Sequence, residues 1–115
     1  MIPVRQITDY LAQLEVALEN RDNHRTEVAR RNVLDRLRVY RRRRRSDRYR
    51  FAVGALFDAV MFTDFSNMTS SCVEVLKKYA TSLFVHDTKD VTDEFLPEMR
   101  RELNQAGFRL RPEMT

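Results

Sequence analysis

The sequence predicts an all-α protein, on three observations. Apolar residues recur at i, i+4, i+7 and i+11 in two separate stretches, Ile7, Leu11, Leu14, Leu18 and Cys72, Leu76, Tyr79, Leu83, which is the period of one helix face. Only 2 glycines and 3 prolines occur in 115 residues, too few to serve the many turns of a β-sandwich. The 43% of apolar residues suffices for one core, and the length suits one domain. Residues 1–115 are therefore expected to form a single helical domain, or part of a larger helical-repeat domain.

The first helix is expected from Pro3, whose ring is preorganised for a first helical turn, to about Asn20. Asp22 or Asn23 then caps a second helix with Val28, Val33 or Leu34, Leu37 and Tyr40 inward. Residues 41–45 are five consecutive arginines, which at about 100° per residue point all the way round a helix. No single buried face absorbs them, so residues 41–47 read as a frayed helix end and basic linker, with Ser46 or Asp47 capping the next helix. That third helix, from about Arg48 to Phe62, carries Phe51, Val53, Ala55, Leu56, Phe57, Val60, Met61 and Phe62 on nearly every side and is expected to be central. Gly54 among these large residues predicts a close approach to a neighbouring helix.

Ser71 and Glu74 have the spacing of a capping box for a fourth helix ending near Phe84. The fifth is expected from about Thr92 to Ala106, with Phe95, Met99 and Leu103 inward and Gly107 ending it in the left-handed conformation. Pro97 fits only in or just past the first turn, since deeper in a helix it costs about 3 kcal/mol. The short link before it predicts that helices four and five are antiparallel neighbours, and the whole reads as antiparallel pairs in a HEAT-like helical stack.

Several function classes recede. The longest apolar run, residues 51–57, falls far short of the roughly 20 residues a membrane-spanning helix requires. No secretory signal is visible at the start, and the lone Cys72 has no disulfide partner within the chain, so a reducing compartment is expected, the cytoplasm first and the nucleus second. No cofactor or metal is expected: the Asp87, Asp90, Asp93, Glu94 cluster lacks the glycine and alternating oxygen ligands of a calcium loop. Nor is catalysis, because His24 and His86 fall in links far apart in sequence with no nucleophile motif beside them.

Charge supplies the functional signal. Residues 21–50 hold thirteen arginines against Asp22, Glu27, Asp35 and Asp47, although the whole chain is only +4, so the remainder is net acidic. Arg30, Arg31, Arg38, Arg41, Arg42, Arg43, Arg44, Arg45, Arg48 and Arg50 are candidates to clamp phosphates, and Tyr40 and Tyr49, which bracket the run, to stack on bases. The same arginines also suit acidic side chains of a partner protein, or of a second copy in a homodimer.

Asn32-Val33-Leu34-Asp35-Arg36-Leu37, then Arg44-Arg45-Ser46, the segment from Arg50 to Phe57, Cys72-Val73-Glu74-Val75-Leu76-Lys77-Lys78, and the segment from Leu103 to Leu110 with its Leu-x-x-x-Gly-x-x-Leu pattern follow one another in order. Together they resemble the latter part of the middle, HEAT-type domain of eukaryotic translation initiation factor 4-gamma and its relatives. The resemblance covers about two thirds of the chain. It implies a non-enzymatic scaffold in mRNA translation or processing, with RNA on the arginine segment and a protein partner, such as a DEAD-box helicase, on the helical face.

Overall fold

Helix formation starts from the caps the sequence supplies. A computed structural model describes residues 5–43, 45–86 and 91–111, so the expected start at Pro3 lies outside the described residues. Helix α1 spans Arg5–Glu19 and α2 spans Asn23–Arg41, with the Asp22 carboxylate accepting from the Arg25 amide at 3.1 Å as the cap. Between them Arg21 takes the left-handed conformation at φ 51, and the Asp22 amide reaches back to the Ala17 carbonyl at 3.0 Å. This closes α1 in the manner usual for glycine, with an arginine in its place.

Helix α3 spans Asp47–Phe62, capped by the Ser46 hydroxyl, which accepts from the Tyr49 amide at 3.2 Å. The polar link that follows folds into two 3-10 turns, Phe65–Asn67 and Ser70–Cys72. Helix α4 spans Val73–Ala80 and widens into a π-helical turn, Thr81–Val85. The expected capping box does not form: the Ser71 hydroxyl lies 2.7 Å from that of Thr69, and no side chain caps α4. Helix α5 spans Phe95–Gln105, which puts Pro97 in its first turn, where the missing amide costs nothing. Gly107 closes it at φ 98, with the Phe108 amide donating to the Leu103 carbonyl at 3.0 Å. No strand occurs among the described residues.

The helices pair as an all-α class requires, and the pairs close on themselves. Helix α1 packs on α2, α2 on α3 and α3 on α5, while α4 returns to α1 and also touches α5. An end-to-end stack would hold the first and fourth helices apart. Here the ring surrounds one core in which Ile7 and Leu11 of α1, Val33 and Leu37 of α2, Leu56 and Val60 of α3, and Leu76 and Ala80 of α4 meet. Each such large side chain contributes about 1.5–3 kcal/mol on burial. The Lys77 ammonium fixes the return by donating to the Glu15 carboxylate at 3.0 Å. On the far side, Arg111 pairs with the buried Asp58 of α3 through both carboxylate oxygens, at 2.9 and 3.1 Å.

The burial pattern corrects several expectations. Val28 points to solvent, and Thr26 and Ala29 take the inward positions of α2 beside Val33, Leu34, Leu37 and Tyr40. Phe51, Met61 and Phe62 of α3 are also exposed, so this helix is buried along most of its girth and open at both ends. Nothing lies within 4 Å of where a Cβ on Gly54 would sit, so no close approach requires glycine there. Gly54→Ala is therefore expected to stabilise the protein by about 1 kcal/mol through helix propensity, read as a rise in the denaturant midpoint at unchanged slope.

Two ion pairs that join helices make stability depend on acid. The Lys77 ammonium at Glu15, and the Lys78 ammonium with the Tyr79 hydroxyl at Glu102, hold both carboxyls below the usual range. A carboxyl lowered in the folded state stabilises fully above its unfolded value, about 4.3, and loses that contribution as pH falls through the folded value. The melting temperature should decline as pH drops from 6 towards 3, and the decline should be shallower in a Glu15→Gln, Glu102→Gln double variant.

Candidate nucleic-acid interface

The corner between α2 and α3 gathers the arginines, and the core beneath it determines how. Tyr40, in the last turn of α2, and Tyr49, in the first turn of α3, are 0% and 1% exposed. Both pack on Phe84, which the π-helical turn delivers: Tyr40 stacks on it with ring centres 3.9 Å apart, and Tyr49 meets it edge-on at 6.4 Å. Neither ring is accessible to a base, so the stacking role expected for Tyr40 and Tyr49 is replaced by an anchoring one. Burial pushes the Tyr40 phenol above its ordinary value, and its hydroxyl finds no partner among the described residues. An aromatic anchor thus sits on each side of the link between α2, which runs to Arg41, and α3, which begins at Asp47.

Aromatic rings carry the guanidinium groups outward. Arg43 lies 4.6 Å from the centre of the Tyr40 ring and Arg45 5.6 Å from that of Tyr49. Arg38 and Arg41 both cover Phe57, at 5.4 and 5.6 Å. A cation over a ring face gains about 0.5–1 kcal/mol at exposed sites, enough to bias long side chains towards one geometry. Arg38, Arg41, Arg42, Arg43, Arg45 and Arg50 together line a concave surface of about 690 Å³ with no acidic residue in its lining. Asp35 pairs with Arg38 at 2.9 Å and Asp47 with Arg50 at 3.7 Å from outside this bowl. Among the described residues no carboxylate pairs with Arg41, Arg42 or Arg43.

The remaining candidates sit elsewhere. Arg30 is engaged with Glu27 at 2.9 Å and with the Met61 carbonyl at 3.3 Å, tying α2 to the end of α3. Arg48 pairs with Asp93 before α5, and Arg31 is exposed on α2 outside the bowl lining. Arg44 lies outside the described residues, as do Asp87 and Asp90 of the acidic cluster. His24 and His86 are exposed, and burial pushes the Cys72 thiol up to about 11, far from a reactive thiolate. Among the described residues no group of three potential metal ligands occurs, and no helix is long and apolar enough to cross a membrane.

No family model, curated protein or solved structure matches this chain. The likeness to the initiation-factor domain rests on the quoted sequence segments alone. One residue that matters here escaped the reading of the sequence. Phe57 is the ring that carries Arg38 and Arg41. It lay within a helix read as apolar on all sides, where periodicity distinguishes no outer face.

Proposed function

We propose that this protein is a non-enzymatic helical module that binds RNA through its phosphates, at the arginine bowl between α2 and α3. The observation that carries the reading is the convergence of six guanidinium groups on one concave surface. Guanidinium forks match phosphate oxygens bidentately, and an electrostatic site of this kind has little base preference because every nucleotide offers the same phosphate. A place in mRNA translation or processing, with a helicase or other protein on the helical face, extends the proposal on the strength of the sequence resemblance.

A second reading, an adaptor or homodimer whose arginines meet acidic protein, is favoured by one observation. Arg38, Arg48 and Arg50 already pair with Asp35, Asp93 and Asp47, so carboxylates suit these side chains. Titration with salt separates the two. Phosphate contacts on a single strand give a log–log slope of about −0.7 per phosphate, so engagement of the whole bowl predicts about −4. A slope near zero for RNA, with tight binding of polyglutamate, would move the assignment to acidic protein.

A further inference from the structure

We propose that the arginine bowl takes a triphosphate group, phosphates joined directly to one another as at the 5′ end of an RNA, in preference to the spaced diesters of a strand interior; this rests on the phosphate-binding reading above. Charge density decides between the two. The concavity of about 690 Å³ falls within the range of about 300–1,000 Å³ that holds a compact group rather than a length of polymer. Asp35 and Asp47 answer Arg38 and Arg50 from outside the lining, while Arg41, Arg42 and Arg43 have no carboxylate paired with them among the described residues. At least these three cations therefore stand uncompensated over a space of small-molecule size. A strand interior brings one negative charge per nucleotide and sets a sugar between each phosphate and the next. A terminal phosphate carries about −1.5 to −2 near pH 7, and the two inner phosphates of a triphosphate add one each, so the group brings about −3.5 to −4 over phosphorus atoms separated by single oxygens.

The basin holds its cations together before any ligand arrives. Arg38 and Arg41 rest on Phe57, Arg43 on Tyr40 and Arg45 on Tyr49, so rings from both α2 and α3 support the guanidinium groups. Cations held this close repel one another, and a ligand relieves the repulsion in proportion to the charge it places among them. A single diester leaves most of it in place. Shape points the same way. The non-bridging oxygens of a triphosphate face several directions, which suits forks that approach from around a concave wall, whereas the two oxygens of a carboxylate lie in one plane and engage a single fork.

The test uses one short single-stranded RNA, labelled at its 3′ end and carrying a 5′-triphosphate, a 5′-monophosphate or a 5′-hydroxyl, titrated by anisotropy in about 0.1 M salt without divalent cation. The triphosphate probe should bind at least roughly tenfold more tightly than the hydroxyl probe, with the monophosphate between them. In a protein with Arg41→Gln, Arg42→Gln and Arg43→Gln the three probes should converge to within about twofold, with circular dichroism as the control for folding. Competition with ATP separates the two sources of the group. ATP that binds as tightly as the triphosphate RNA keeps the triphosphate site and assigns it to a free nucleotide, and weaker ATP binding assigns it to an RNA end. Equal affinity of the unaltered protein for the three RNA probes would overturn the triphosphate preference and leave the RNA reading in place. Failure to bind any of the RNA probes or ATP would overturn the phosphate reading itself, and the proposal with it.

Discussion

Exchanging Arg41, Arg42 and Arg43 for glutamine is expected to lower affinity for a short single-stranded RNA roughly a hundredfold at 0.1 M salt. The figure follows from counting: three lost phosphate contacts at about 0.7 each make the salt slope shallower by about 2, which at 0.1 M is two decades of binding constant. These three are chosen because no carboxylate pairs with them among the described residues, so their removal strips charge from the bowl without breaking an ion pair there. Loss should be similar for unrelated sequences, since backbone contacts carry no base information. Anisotropy titrations at several salt concentrations, with helical circular dichroism as the control for folding, read both quantities. A variant with the parent's slope and affinity would remove these residues from the interface.

Tyr40→Ala should cost about 3–5 kcal/mol of folding stability, the range for emptying a buried aromatic site. A domain of this size has about 5–15 kcal/mol in total, so the loss would consume much of it. The structural cause is specific: Tyr40 is fully buried and its ring stacks on Phe84, joining the end of α2 to the turn after α4. Tyr40→Phe should behave in the opposite way. It keeps the stack and removes a buried hydroxyl that has no hydrogen-bond partner among the described residues, so stability should hold or rise by about 1 kcal/mol. Urea denaturation of the pair decides the matter. If Tyr40→Ala kept the parent's stability and lost RNA affinity, the ring would be a ligand contact after all.

The helices were legible because their signals are local. Asp22 and Ser46 cap α2 and α3 through side-chain contacts only three residues long, and Gly107 ends α5 in a conformation few other residues accept. The inward stripes of α1 and α4 follow from period alone, and all eight residues of those two stripes are buried. What the sequence hid depends on other parts of the chain. The exposure of Val28, Phe51 and Phe62 is decided by which helices sit beside α2 and α3, and closure of the ring through Lys77 and Glu15 joins residues 62 positions apart. The tyrosines were ambiguous for a chemical reason. An amphipathic ring suits both a core and a nucleic-acid surface, and only the arrival of Phe84 from a distant turn settles the choice. The arginine cluster was legible as a run of charge, but its shape was not, because the bowl draws residues from two helices and the link between them.

The aromatic anchors that end α2 and begin α3 have a thermodynamic consequence. An unfolded chain lets the arginines drift apart, whereas the native chain holds six of them around one basin, so part of the free energy of folding is spent against their mutual repulsion. Folding and anion binding are thereby linked. A polyanion that occupies the basin only in the folded protein raises the melting temperature with the logarithm of its concentration. Simple salt then acts in two directions at once: by screening like charges it steadies the empty protein, and by competing for the same cations it loosens the complex.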